Sequence, residues 1–318
     1  MRKMSTMVAA VVACLVVPAP AVAAAGPAQA GRPPATVRSA LPTCTPQSAI
    51  DRLVAYIRTQ QQPDGSFPGI GETATAEAVY ALVASGVDPS TVTTGGKSAV
   101  DWIYSRAGAS ISTGAAAKFL LALVLAGRPT TAPGGFDFEA RVRDAYDPAT
   151  GLYDADPTAN IYSIIALRAA HQPVPGNATR ALAGQQQPDG GWSAYIPARE
   201  TDTNTTAAAM VALVAARRPA PIPAASAFLR TQQSTDGGFT FSTVYGTASD
   251  ANSTGLVIVA LLATGQSLAD WERGGTDPVE RLLQLQNPSG AFRYNDATPA
   301  DNAYATYQAG QAAGLTRC

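Results

Sequence analysis

A turn that recurs along the chain constrains the fold more than any other feature. Gln61-Gln62-Pro63-Asp64-Gly65-Ser66-Phe67 returns as Gln186-Gln187-Pro188-Asp189-Gly190-Gly191-Trp192 and as Gln233-Ser234-Thr235-Asp236-Gly237-Gly238-Phe239. A weaker copy is Gln286-Asn287-Pro288-Ser289-Gly290-Ala291-Phe292. Asp147-Pro148-Ala149-Thr150-Gly151-Leu152-Tyr153 keeps the glycine and the aromatic, and Gly108 stands midway between Gly65 and Gly151. Six turns at a period of about 40–50 residues mark a repeat architecture, in which each unit buries its apolar face against its neighbours.

The segments on either side of each turn differ in kind. Those before it, such as Ala49–Gln61, Ser98–Arg106, Ala224–Gln233 and Pro278–Gln286, place apolar residues three and four apart and predict amphipathic helices. Those after it are rich in alanine and apolar on most sides: Ala74–Ser85, Thr113–Ala126, Thr158–Ala170, Thr205–Ala216, Ser253–Thr264 and Ala303–Ala313. A helix that is apolar all round must be buried. Alternation of the two kinds predicts an all-α fold, an outer ring of amphipathic helices around an inner ring of apolar ones. The turn suits that plan. Its Asp-Gly pair supplies the positive φ that ends an outer helix, and its glutamine can satisfy loose backbone groups at helix ends.

These turns resemble the repeats of the prenyltransferase and squalene/terpene cyclase superfamily, and the resemblance covers nearly everything from Cys44 to Cys318. It implies an α6/α6 toroid of six helical hairpins. Members of that superfamily include zinc protein prenyltransferases, class II terpene cyclases and the toroids of cobalamin carriers, so the resemblance leaves the function open.

The zinc enzymes bind their metal through an aspartate, a cysteine and a histidine. Here the one histidine, His171, falls at the end of an inner helix, and Cys44 and Cys318 lie at the ends of the fold. No zinc site is expected from such a set, and no cofactor is expected. The cyclases donate a proton from the middle carboxylate of an Asp-x-Asp-Asp-Thr-Ala motif. Asp154-Ala155-Asp156-Pro157-Thr158-Ala159 matches it with Asp156 as donor and Asp154 as its first neighbour, but Pro157 replaces the last aspartate and removes part of the network that would tune Asp156. Asp202-Thr203-Asn204-Thr205 and Asp250-Ala251-Asn252-Ser253 follow the same pattern with asparagine in the donor position. Three occurrences point to helix capping as a habit of the repeat. A cyclase also shelters carbocations with aromatic faces, whereas the inner segments carry only Tyr80, Phe119, Tyr162, Tyr304 and Tyr307.

The reading favoured by these residues is a binding scaffold. Asp154, Asp156, Tyr162, Glu200, Asp202, Asn204, Asp250, Asn252, Asp301 and Tyr304 are expected at one rim, above an apolar throat, because every inner helix begins there. Such a rim suits an amphipathic small molecule or an extracellular protein. Asp202-Thr203 and the following Thr206-Ala207-Ala208-Ala209-Met210 are similar to inner-helix starts of cobalamin carriers. Those carriers clamp their ligand against a β-rich domain that has no counterpart in this sequence. The alternatives are a divergent class II terpene cyclase with Asp156 as general acid, and a carbohydrate-active toroid with paired carboxylates.

The chain ends set the expected compartment. Met1-Arg2-Lys3, the apolar run Val8–Val17 and a small-x-small site at Ala28-Gln29-Ala30, with Ala21-Val22-Ala23 as the alternative, predict a signal peptide over 1–30. A lipoprotein box ending at Cys14 is the weaker reading, because the run stays apolar beyond it. Residues 31–43 read as a flexible lead-in and 44–318 as the toroid. An oxidising compartment would join Cys44 to Cys318, the other possibility being two unpaired thiols. With Lys+Arg 22 against Asp+Glu 23 and no basic run, nucleic acid is not an expected partner. The mature chain is expected to be exported, monomeric and without a membrane span.

Overall fold

A computed structural model describes residues 44–108 and 110–318. The expected signal peptide, its cleavage sites, Cys14 and the lead-in lie outside the described residues. Among those described, the chain forms twelve α-helices in alternating roles. The inner helices are α2 (Ala74–Ala84), α4 (Thr113–Leu125), α6 (Pro157–Ala169), α8 (Thr203–Ala215), α10 (Ala251–Ala263) and α12 (Ala303–Leu315). The outer helices are α1 (Gln47–Gln60), α3 (Ala99–Ser105), α5 (Phe138–Arg143), α7 (Gly176–Gly184), α9 (Ile222–Gln232) and α11 (Pro278–Gln284). Two small antiparallel hairpins, β1 (Thr93–Thr94) with β2 (Lys97–Ser98) and β3 (Arg293–Asn295) with β4 (Thr298–Asp301), sit in the connections.

Each inner helix packs against the next, and α12 packs back onto α2, so the α/α toroid is closed. Alanine makes this possible. Ala76, Ala81, Ala116, Ala122, Ala166, Ala212, Ala260 and Ala309 are all fully buried, and small side chains let six helices crowd about one axis.

The recurring turn works as a stitch between hairpins. The amide of Gln186 donates to the carbonyl of Gly190 in its own turn at 2.9 Å and to that of Pro221 in the next hairpin at 3.0 Å. Gln61 makes the same pair of bonds to Gly65 and Val92, and Gln233 to Gly237 and Trp271. Gln286 carries the stitch across the seam, to Gly290 at 3.2 Å and to Ala49 of the first helix at 3.0 Å. The aspartate closes the turn on itself, Asp189 Oδ1 accepting from the Gly191 N–H at 2.9 Å. The N–H of the aromatic donates to a threonine hydroxyl in the following inner helix, from Trp192 to Thr206 at 2.9 Å and from Phe292 to Thr306 at 2.8 Å. Glycine is required at the fifth position because the next outer helix comes so close. A Cβ on Gly190 would collide with the Ala224 carbonyl, and one on Gly290 with that of Arg52.

The turn expected at Gly108 departs from this pattern. Gly108 is not in the left-handed region that Gly65, Gly151, Gly190, Gly237 and Gly290 all occupy, and nothing approaches the place of its missing Cβ. With neither constraint, that connection has lost the motif.

Cys44 and Cys318 are bonded, with their Cα atoms 5.1 Å apart. Beside them Thr45 N donates to the Thr316 carbonyl at 2.9 Å and Cys318 N to the Thr45 carbonyl at 3.1 Å. No described helix is long and apolar enough to cross a membrane.

Candidate functional site

The inner helices all begin at one end of the ring, and their caps build the rim. Asp202 Oδ1 accepts from Thr205 N, and Asp250 Oδ1 from Ser253 N, both at 2.7 Å. Asn302 rather than Asp301 caps α12, accepting from Ala305 N at 2.9 Å. Each cap satisfies an N–H that its helix cannot, and a carboxylate there also meets the positive end of the helix dipole.

Within this rim lies a cavity of about 360 Å³, lined by Tyr162, Asp202, Asn204, Asp250, Asn252 and Tyr304 of the expected set. Ile161, Ala208, Phe241 and Leu256 add apolar lining, as does Ile70, which is 72 % exposed. The other expected residues are elsewhere. Asp156 is exposed and caps α6 by accepting from Thr158 N at 2.8 Å, with Asp154 Oδ1 accepting from Asp156 N at 3.1 Å. Asp156 lines a separate depression of about 290 Å³. Glu200 accepts from the Tyr245 hydroxyl in an outlying groove between hairpins. Asp301 lies on β4 and accepts from Asn287 at 2.7 Å. The cavity thus gathers six of the ten expected residues, and the other four do not line it. Asp154 and Asp156 are engaged in the start of α6, Glu200 with Tyr245 and Asp301 with Asn287.

The chemistry of the cavity centres on residues outside the expected set. Glu77 on α2 is fully buried and accepts from Lys118 Nζ on α4 at 2.7 Å. Its second oxygen accepts from the Gln311 amide on α12 at 2.8 Å. The ammonium lies 4.4 Å from the centre of the Tyr162 ring, a cation–π placement. Asn252 donates to Gln308 at 2.8 Å, and Gln308 donates to the Tyr304 hydroxyl at 3.0 Å. Burial on its own would push the Lys118 ammonium down, but the adjacent Glu77 carboxylate outweighs that and holds it well above the ordinary lysine range. Desolvation pushes the phenols of Tyr80, Tyr162 and Tyr304 up, so all three remain donors. Desolvation also raises Asp202, and it raises Asp250 to about 6 against the bonds from Ser253 that pull the other way. The Asn204 side-chain oxygen, buried at the cavity wall, receives no donor from the described residues.

One signal for Lys118 and Glu77 is present in the sequence. Each is a single charge within an otherwise apolar helix, and a buried charge requires a partner. That partner is 41 residues away, on the neighbouring helix.

The site can therefore hold a molecule with an apolar body and a hydrogen-bonding head. Its lining combines apolar side chains with amides, phenols, the carboxyl groups of Asp202 and Asp250 and the one cation of Lys118. No group of His, Cys, Asp and Glu among the described residues is arranged to hold a metal.

No family model matches the chain, and no curated protein does. Among solved structures the chain is similar to the type II terpene cyclase MstE from Scytonema. The identity is 14 %, the match covers 84 % of this chain and 96 % of that one, and the TM-score is 0.59. A variant of that cyclase in complex with geranylgeranyl dihydroxybenzoate, its substrate, matches with a TM-score of 0.59 over 85 % of this chain and 96 % of that one, at 14 % identity. A protein from Actinoplanes matches at 17 % identity over 85 % of this chain and 98 % of that one, also with a TM-score of 0.59. The chain thus has the α/α toroid fold of the terpene cyclases. At these identities the likeness concerns the fold alone.

Proposed function

We propose that this toroid is an exported binding protein that holds an amphipathic small molecule in its central cavity. The carrying observation is the mixed lining of the cavity, in which apolar side chains stand with amides, phenols and the ammonium of Lys118, itself paired with the buried Glu77. At about 360 Å³ the cavity lies near the lower end of the range of roughly 300–1,000 Å³ common to small-molecule sites. The ligand's polar head sits against Asn204, Tyr304 and Lys118 and its apolar body against Ile161, Phe241 and Leu256. Export is supported by the signal-like start of the chain and by the Cys44–Cys318 bond, which an oxidising compartment maintains.

Native mass spectrometry of protein recovered from its own host is the direct test. A discrete added mass is expected, and it should be lost in Asn204→Leu, which fills the polar side without removing a cap. Protein that flies bare from the host, and takes up no lipophilic molecule from host extract, would remove the proposal.

A second reading is supported by one observation. A carboxyl raised to about 6 by burial, as at Asp250, is a suitable proton donor, and the structural neighbours include a terpene cyclase. Asp156 suits that role less, being exposed. Incubation with geranylgeranyl diphosphate and with squalene separates the readings. Product that disappears in Asp250→Asn but persists in Asp156→Asn would establish the cyclase and displace the binding role.

A further inference from the structure

The end of the ring opposite the cavity carries three arginines around one groove. Arg168 lies in the last turn of α6, and Arg217 and Arg218 directly follow α8; all three line a depression of about 860 Å³. It opens at the far ends of two thirteen-residue helices, hence about 20 Å from the rim. No carboxylate lines it, although acidic residues slightly outnumber basic ones in the chain.

A cation at a helix C-terminus is ordinary, since it meets the negative end of the dipole. Three features go beyond that. Arg128 follows α4 as Arg218 follows α8, and Arg128 is neutralised by Asp88. Arg218 instead donates Nε to Thr179 Oγ1 at 2.7 Å, and Arg168 donates Nε to the Ala215 carbonyl at 3.1 Å. These bonds orient both guanidinium groups while leaving them without a counter-charge among the described residues. Second, Arg217 adopts φ +56° just past α8, where α2, α4 and α10 are followed by Gly86, Gly127 and Gly265. A non-glycine residue in that conformation is strained, and its side chain forms no hydrogen bond among the described residues to offset this. His171 after α6 shares the conformation but does not line the groove, whereas Arg217 does, and strain can be retained where function requires the side chain. Third, α7 and α9 both begin at the groove, behind Pro175 and Pro221, and neither has a side-chain cap.

We propose that this groove binds a phosphoryl group, either a free phosphate ester or diphosphate or a phospholipid headgroup, on the forks of Arg168, Arg217 and Arg218. Planar guanidinium groups match a tetrahedral oxyanion with paired hydrogen bonds, and the positive ends of the α7 and α9 dipoles add to the same field. The proposal does not depend on the nature of the cavity ligand, which binds at the other end of the helices.

The test is calorimetric titration with inorganic diphosphate at low ionic strength, alongside co-sedimentation with vesicles of phosphatidylglycerol or of phosphatidylcholine. Wild type is expected to bind diphosphate saturably, and Arg217→Gln to weaken binding about tenfold. Arg217→Gly makes the assignment specific: relief of the left-handed strain should raise the melting temperature while binding falls. Arg58→Gln, which removes an exposed charge from α1, should leave binding unchanged. Binding confined to phosphatidylglycerol vesicles and dependent on Arg217 would identify a lipid headgroup as the source. The proposal is overturned if neither diphosphate nor anionic vesicles bind, or if Arg58→Gln weakens binding as much as Arg217→Gln.

Discussion

Glu77 and Lys118 each cost several kcal/mol to desolvate, and neither tolerates the loss of the other. Lys118→Met leaves a fully buried carboxylate accepting only from Gln311, and a loss of about 3–5 kcal/mol is expected in urea unfolding. The double variant Glu77→Gln/Lys118→Met, neutral and close in volume, should recover most of that loss. A double variant as unstable as the single one would show that the pair contributes by more than mutual neutralisation. Asp250 gives a second expectation at this scale. Its carboxyl titrates near 3.9 in an unfolded chain and at about 6 in the fold, because burial disfavours the charge. Between those values the folded state binds more protons than the unfolded one, so stability falls as pH rises through the window and the loss is complete above about 6. A shift of about two units corresponds to roughly 3 kcal/mol. Asp250→Asn keeps a capping oxygen and has no proton to lose. In urea melts from pH 4 to pH 7 the stability of wild type should therefore fall relative to that of the variant, while Asp202, shifted in the same direction, and the carboxyl groups shifted down, such as Asp88 and Asp101, contribute to both curves alike. Parallel slopes would mean that Asp250 ionises in the fold as it does in the open chain.

At the scale of helices, the inner ring was legible because its signals are local. Uniform apolarity, alanine content and an Asp or Asn three residues before Ser or Thr are each contained in one segment, and α8 and α10 begin where that pattern begins. The outer helices of the third and fourth hairpins were not legible. α5 is only six residues long, and α7 carries a glycine at either end, so neither shows the spacing that identifies α1 or α9. The same difference of range governs the site. Its capping residues show as a repeated pattern, whereas the Glu77–Gln311 bond joins positions 234 residues apart and exists only once the ring has closed. Helix ends also offer a direct measurement. His171 follows α6 with φ +59°, where three other inner helices are followed by glycine. His171→Gly should stabilise the fold by about 1 kcal/mol by removing a strained backbone, read as a higher denaturation midpoint at unchanged m-value. No gain would mean that the imidazole makes contacts worth as much as the strain.

For the whole molecule the decisive place is the seam between the sixth hairpin and the first. Every other pair of neighbouring hairpins is joined by continuous chain, whereas this one is held by packing of α12 on α2, the stitch from Gln286 to Ala49, the bonds around Thr45 and the disulfide. Repeat proteins gain stability mainly from nearest-neighbour interfaces, so an open chain of six hairpins would lose one interface of six and expose the apolar flanks of α2 and α12. The disulfide spans 274 positions, and closing so long a loop in the unfolded chain corresponds to roughly 5 kcal/mol as an upper value. Its effect on the folded state is distinct, because it prevents the seam from opening alone. The variant Cys44→Ser/Cys318→Ser should therefore show two changes by hydrogen exchange. Global protection should drop in all hairpins by the lost loop entropy, and the amides of α1 and α12 should lose more, since a local opening becomes available to them. Gln286→Ala in the same background should widen that gap, while with the disulfide intact it should lower protection evenly. Uniform exchange across all six hairpins in the reduced variant would show that packing of the inner ring alone closes the toroid and that the disulfide acts only on the unfolded chain.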